Sequence, residues 1–290
     1  MIINYITKIK QSIHTSRKTA NILDGSYKSI YKGRSMDFDD LRNYVVGDNI
    51  KDIDWKSSAR NGNLLIRRFV AEKKHNILLV LDTGKKMIAD TRENESKKEI
   101  ALMSTGILAY LASQNGDYIS AIYSNKTNSL SSFPFKYGIH HIETLLYNYD
   151  KDIENDNNLY IENVLEYISN NIKRKMIIFV ITDLQGMEIV KESTLKKLSI
   201  LNDILFINIS DAYMAGANTY DIDNSFYIPE LISKNTKLLE MEKASKEKIY
   251  SNCLEKFKKY KISTITIDNN KEITAKIADL LERHKHANIH

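Results

Sequence analysis

Five short apolar runs recur after residue 76: Ile77 to Leu81, Tyr118 to Tyr123, Met176 to Ile181, Ile204 to Ile209 and Ile262 to Ile267. A strand with one face in water alternates apolar with polar, whereas a strand covered on both faces is apolar throughout, as in a parallel sheet between two helix layers. The segments between the runs have helical spacing: Lys97 to Gln114, Ile139 to Tyr147, Tyr160 to Asn171, Ile189 to Leu201, Thr236 to Tyr260 and Lys271 to Arg283. Alternating strand and helix predicts an α/β fold built on a doubly wound, mostly parallel sheet. Leu130 to Phe133, closed by Pro134, is too short and polar for the centre and belongs on an edge. Residues 211 to 228 read as an insertion ending in SFYIP.

Upstream of residue 76 the pattern changes. Asn61-Gly62 signals a turn, Leu64 to Val70 reads as an apolar and basic strand, and Gly25, Gly33 and Gly47 punctuate what precedes it. A piece this small scarcely sustains a core alone. The expected division is therefore residues 1–75 as an N-terminal extension of short strands and helices and residues 76–290 as the α/β domain. Ile2, Ile6, Ile9 and Ile13 recur at helical spacing with lysines opposite, which leaves two readings open: a helix docked on its own core, or one lying on a membrane surface. No run approaches the roughly 20 apolar residues that span a bilayer, so membrane contact would be peripheral.

The balance of 42 basic and 37 acidic residues gives a net charge of +5, interspersed along the chain, which favours solubility over a polyanion partner. No basic patch is interleaved with aromatics, so nucleic acid is not an expected ligand. The single cysteine, Cys253, forbids an intrachain disulfide and fits a reducing compartment. No Walker loop, G-x-G-x-x-G or G-x-S-x-G is present, and His140, His141, His284, His286 and His290 lack partners at structural-zinc spacing. The first central strand ends in Asp82-Thr83-Gly84-Lys85-Lys86, and Asp183 closes a later one, in FVITDLQG. The carboxyl edge of a parallel sheet is where ligand sites form. Asp82 and Asp183 could act as an acid and base pair, but no nucleophile or oxyanion donor accompanies them in sequence.

The spaced string Gly33-x-x-x-Asp-Phe-x-x-x-Arg42-x-Tyr44-x-x-Gly47-Asp48, then Asp52-Ile-Asp54-Trp55 and Ser58-Ala59-Arg60, resembles the short bacterial members of the domain of unknown function 58 family. The resemblance extends from about residue 14 to 190 and takes in Ser96-Lys97 and the Gly116-Asp117 turn. It implies a von Willebrand factor A-like domain and a partner protein, cytoplasmic or at the inner membrane face, for a MoxR-type AAA+ ATPase. It also implies a metal-ion-dependent adhesion site: Mg²⁺ held by an Asp-x-Ser-x-Ser turn, a later threonine and an aspartate, the oxygen ligands a hard cation needs. Here Gly84 and Lys86 replace both serines, no Gly-Thr pair occurs near Asn157 to Ile161, and Asp82 and Asp183 remain. The site therefore reads as degenerate, with the Lys86 ammonium standing where the ion would be and neutralising the two carboxylates. No cofactor is expected, weak Mg²⁺ at Asp82 being the exception.

Arg34, Arg42, Arg60, Arg67 and Arg68 lie close to Asp37, Asp39, Asp40, Asp48, Asp52 and Asp54. They can pair internally to fix the extension, with Trp55 packed beneath, or present a partner-docking face; the two are compatible. The expected function is a non-enzymatic interaction module, with the motif residues Arg42, Tyr44, Gly47, Asp48, Asp52, Asp54, Trp55 and Arg60 as its interface. The alternatives are a metal-dependent ligand binder using Asp82 and Asp183 and a divalent-metal hydrolase using the same carboxylates.

Overall fold

A computed structural model describes residues 5–14, 17–32, 40–46, 50, 53–68, 74–127, 129–153, 160–214, 220–221, 226–227 and 235–287. In chain order the elements are α1 (Tyr5–His14), α2 (Arg17–Lys32), β1 (Asp40–Asn43), α3 (Trp55–Asn61), β2 (Leu65–Arg68), β3 (Asn76–Leu81), α4 (Lys97–Gln114), β4 (Tyr118–Ser124), β5 (Leu130–Ser132), α5 (Ile139–Asp152) and α6 (Ile161–Asn171). They continue as β6 (Ile177–Asp183), α7 (Leu184–Ile189), α8 (Glu192–Ser199), β7 (Asp203–Ile209), β8 (Tyr220–Asp221), β9 (Phe226–Tyr227), α9 (Thr236–Lys258), β10 (Ser263–Ile267) and α10 (Ile273–Ala287).

The central sheet has the order β10-β7-β6-β3-β4-β5, parallel except for β5, which pairs antiparallel with β4 at the edge. The apolar runs are continuous because each strand feeds two cores. In β3, Ile77, Leu79 and Leu81 pack with α4, α5 and α10, while Leu78 and Val80 pack with α6, α8 and α9. All five side chains are buried, and each contributes roughly 1.5–3 kcal/mol by leaving water. Truncating one, as in Leu79→Ala, removes that and leaves a cavity, a loss of about 2–5 kcal/mol.

The N-terminal helices join the first of these cores. Ile6, Ile9 and Ile13 of α1 are buried against α4, so the described part of this amphipathic helix docks on the protein itself; Ile2 lies outside the described residues. The approach is close enough to require Gly106 in α4, where a Cβ would come within 2.3 Å of the Ile9 Cδ1. The Tyr5 hydroxyl donates to Asp150 at the end of α5.

Two elements depart from the sequence expectation. Gly25 reads as a break, yet it sits inside the sixteen-residue α2, whose Leu23 and Tyr27 enter the core while the Tyr27 hydroxyl donates 2.8 Å to Asp117. That burial and anchoring outweigh the entropic cost of a mid-helix glycine, about 1 kcal/mol. The helix expected over 189–201 is the shorter α8, and a separate helix, α7, precedes it and ends at Ile189. The buried Glu162 carboxylate accepts the Lys191 N–H at 3.0 Å and the Thr194 hydroxyl at 2.8 Å, which satisfies the new helix start.

Candidate functional site

The strands leave β3 in opposite directions across the sheet, to β4 and β5 on one side and to β6, β7 and β10 on the other. The crevice at the carboxyl ends of β3 and β6 is thus the topological switch point, where open α/β sheets bind ligands. Asp82 and Asp183 meet there. The Thr182 hydroxyl donates to Asp82 Oδ2 at 2.6 Å and the Gly84 N–H to Oδ1 at 2.9 Å, while the Tyr149 hydroxyl donates to the Asp82 carbonyl at 2.9 Å. Asp183 caps α7, its Oδ1 accepting the Gly186 N–H at 2.9 Å. Gly186 is obligatory at this point, because a Cβ would lie 1.8 Å from the Thr182 hydroxyl.

The cation that answers these carboxylates is Lys97, the first residue of α4. Its side chain is 0% exposed, and its ammonium donates to Asp183 Oδ2 at 2.9 Å and to Asp211 Oδ1 at 2.5 Å. A positive charge in the first turn opposes the helix dipole, and burial is costlier still, so neither helix stability nor packing explains a lysine here. The two carboxylates do. Burial lowers the Lys97 ammonium, but the charges of Asp183 and Asp211 outweigh it and hold the group above the ordinary lysine range. Burial likewise raises the Asp183 carboxyl, yet Lys97 and the Gly186 N–H prevail and keep it below the usual carboxylate range. Asp82 moves the other way: burial and the neighbouring Asp183 charge raise it above the usual range despite its hydrogen bonds.

Lys86 does not hold the position expected of it. It is exposed, and its ammonium reaches the Gln185 side-chain oxygen across the crevice. Lys86 is the second residue of a short 3-10 turn, Lys85–Ile88, that turns it outward, whereas α4 points Lys97 straight into the carboxylates. The sequence offered a signal for Lys97, a cation on the wrong end of a helix, and a weaker one for Asp211, a carboxylate just past an apolar strand.

These donors do not fit a divalent ion. Thr83, the remaining hydroxyl of the turn, donates 2.6 Å to the Ser124 carbonyl, Gly84 offers no side chain, and both Asp82 oxygens carry internal hydrogen bonds. An incoming ion would share Asp183 with an ammonium already 2.9 Å away, and like charges repel strongly in a desolvated crevice. Among the described residues no group of three or more His, Cys, Asp or Glu side chains is arranged to hold a metal.

The described motif residues of the extension lie around the antiparallel pair β1 and β2. The Tyr44 N–H donates to the Leu64 carbonyl and the Asp54 N–H to the Leu65 carbonyl, which brings the segments of Val45, Trp55 and Leu64 together. Asp54 is the N-cap of α3, its Oδ1 accepting the Ser57 N–H at 3.0 Å, and Gly62 ends that helix in the left-handed conformation. Arg42 donates to the Asn43 carbonyl, and Arg60 is exposed in the last turn of α3. Gly47, Asp48 and Asp52, with Arg34, Asp37 and Asp39, lie outside the described residues.

Trp55 is not the buried anchor the sequence suggests; it is 63% exposed. The inward side of α3 is occupied by Ser58, whose hydroxyl donates to the Asp54 carbonyl and accepts the Leu65 N–H, with Ile53, Leu65 and Ile66 filling what remains. Val45, Val46, Ile50 and Leu64 are exposed as well, Val46 almost fully.

The family model described as Protein of unknown function DUF58 matches residues 40–215. Uncharacterized proteins of Mycobacterium bovis and Mycobacterium tuberculosis are each 24% identical over 130 residues, which cover 45% of this chain and 40% of theirs. The chain thus spans about two fifths of the length of these curated relatives. Similar solved structures include an aerotolerance-related membrane protein from Bacteroides fragilis carrying multiple mutations to serines, at a TM-score of 0.45 and 13% identity over 71% of this chain and 98% of that one. Another is a von Willebrand factor type A protein from Catenulispora acidiphila, at a TM-score of 0.41 and 6% identity over 76% and 44%.

Proposed function

The chain belongs to the family described as protein of unknown function DUF58, and from that premise we propose that it is a non-enzymatic adaptor that docks a MoxR-type AAA+ ATPase through the face around Trp55. The exposure of the chain's single tryptophan carries the interaction reading. Tryptophan and arginine dominate the energetics of protein interfaces, and a solvent-facing tryptophan among exposed valine, isoleucine and leucine, with Arg42 and Arg60 nearby, has the composition of a hot spot. The motif resemblance supports the identity of the partner, and an ATP-dependent partner places the work on the cytoplasmic side.

The crevice supports the same reading from the opposite direction. Lys97 satisfies Asp183 and Asp211, and Thr182 and Gly84 satisfy Asp82, so the carboxyl edge is preorganised by the chain's own groups. We infer that it holds no resident metal and performs no turnover.

Co-purification of the tagged full chain from a host that encodes such an ATPase tests the proposal. The ATPase is expected in the low-salt eluate and is expected to be lost, at least tenfold, with Trp55→Ala, while the melting temperature stays unchanged because the side chain is exposed. Equal recovery with both proteins overturns the docking face, and no ATPase with the unmodified chain overturns the partner.

A further inference from the structure

Parallel strands all begin at one edge of a sheet and end at the other, and the charges of this chain divide between the two. β3, β6, β7 and β10 each end in an aspartate or are followed closely by one: Asp82, Asp183, Asp211 and Asp268. The amino edge is cationic. Lys74 precedes β3, and Lys173, Arg174 and Lys175 precede β6. Lys136 joins them because β5 runs antiparallel, which returns the chain to this edge, where Lys136 bridges Ile119 at the start of β4. All five cations are exposed, and among the described residues none is paired with a carboxylate. The acids of this edge are turned inward: Asp117 is buried and accepts the Tyr27 hydroxyl and the His75 N–H, and Asp203 faces His284 at 3.8 Å.

Side-chain contacts draw these loops into one surface. The Lys74 ammonium lies 5.6 Å from the centre of the Tyr118 ring and 5.3 Å from that of Tyr137. The Arg174 guanidinium lies 5.0 Å from the centre of the Phe135 ring and donates 3.4 Å to Asn76 Oδ1. The Met176 N–H donates 3.0 Å to Asn202 Oδ1, which brings the turn before β7 alongside. Large apolar side chains project from both ends of this surface. Tyr137, 62% exposed, and Ile139 follow β5; Ile200, 75% exposed, and Leu201 precede β7, just after Lys196 and Lys197. The strand order β7-β6-β3-β4 places the two pairs about three strand spacings, roughly 15 Å, apart, with the cations between them.

We propose that this amino edge docks on an anionic membrane surface, its cations drawn to the headgroups while Tyr137, Ile139, Ile200 and Leu201 enter the interfacial layer. Lysine and arginine attract anionic lipid, tyrosine favours the interface, and apolar area added to a basic patch is what makes such binding stable. A single strand of nucleic acid fits less well, because it follows a groove of stacking rings, whereas Ile200 and Leu201 offer no ring and the charges spread across several loops. Attachment is peripheral: α1 is docked on the core, and no described helix is long and apolar enough to cross a bilayer. The surface does not rest on the Trp55 reading.

Co-sedimentation of the full chain with phosphatidylcholine vesicles, with and without an equal part of phosphatidylserine, tests the proposal. Binding is expected with phosphatidylserine at low salt, with little to phosphatidylcholine alone, and is expected to weaken at high salt. Lys173→Ala with Lys175→Ala should lower the partition at least tenfold, and Ile200→Ser with Leu201→Ser should lower it at both salt concentrations; these exposed positions leave the melting temperature unchanged. Lys237→Ala with Lys243→Ala, an equal loss of charge near the start of α9, should leave it as it was. No binding to phosphatidylserine vesicles, an equal loss from the α9 pair, or no effect of the Ile200 and Leu201 changes overturns the proposal. Tighter binding of a labelled single-stranded oligonucleotide, weakened by Tyr137→Ala but not by the Ile200 and Leu201 changes, makes this a nucleic-acid surface and overturns it as well.

Discussion

Replacing Lys97 with methionine should be among the most damaging single changes in the α/β domain. Methionine keeps the length and fills the space, so the cavity contribution is small. What is lost is the cation between Asp183 and Asp211, both of which then face a desolvated crevice that also contains Asp82. Removing one partner of a buried ion pair costs about 3–5 kcal/mol. At about 2–4 °C per kcal/mol for a domain of this size, that is roughly 6–20 °C in melting temperature. The pH dependence has a fixed sign. A lysine whose folded pKa is raised contributes stability that is fully present below its unfolded value, about 10.4, and lost as pH rises through the higher folded value. A depressed aspartate contributes stability present above its unfolded value, about 3.9, and lost as pH falls through the lower folded one. The gap between the two proteins in urea unfolding should therefore be flat through neutral pH, narrow above about pH 10.4 and narrow below about pH 3.9. Combining Lys97→Met with Asp183→Asn should recover part of the loss. A Lys97→Met protein within about 1 kcal/mol of the parent at pH 7 refutes the reasoning and returns the crevice charge to Lys86 or to solvent.

Asp82→Asn should gain stability over the parent as pH rises from about 3.9 through the raised folded value of Asp82, because that carboxyl holds its proton longer folded than unfolded; a relative loss over that window in pH-dependent urea melts contradicts the pKa direction. Mg²⁺ titrated calorimetrically into the unmodified chain should give no saturable heat, and stoichiometric binding abolished by Asp82→Asn would show a working metal site. Gly106→Leu should displace α1, since even a Cβ meets Ile9 at 2.3 Å, and trypsin should then cut at Lys8 and Lys10 faster than in the parent; equal rates would mean α1 is not held by that contact.

The sheet was legible because burial on both faces leaves an unmistakable mark: each apolar run predicted after residue 76 lies in a strand within a residue or two of its expected limits. Helices α2 and α8 were obscured by single residues whose tertiary partners decide the matter. Gly25 is tolerated because Leu23 and Tyr27 are anchored, and Glu162, from a distant part of the chain, sets where α8 begins by accepting the Lys191 N–H and the Thr194 hydroxyl. The crevice was half legible. Asp82 and Asp183 announce themselves by ending apolar strands, but which lysine answers them depends on the direction in which a turn and a helix project their side chains. Periodicity carries no such information. Trp55 misled for a related reason, because residue type argues for burial while a seven-residue helix with Ser58 on its inner side has little room for an indole.

Because Trp55 is the only tryptophan, 5-fluorotryptophan labelling gives the protein a single ¹⁹F resonance at the centre of the proposed docking face. Titrating the labelled full chain with the unlabelled MoxR-type ATPase of the same host, with nucleotide present, tests the interaction most directly. The expected result is a solvent-exposed resonance in the free protein that shifts or broadens saturably near one equivalent of ATPase subunit. A resonance unchanged by a several-fold excess, while the ATPase remains folded and active, would contradict the assignment of this face to that partner.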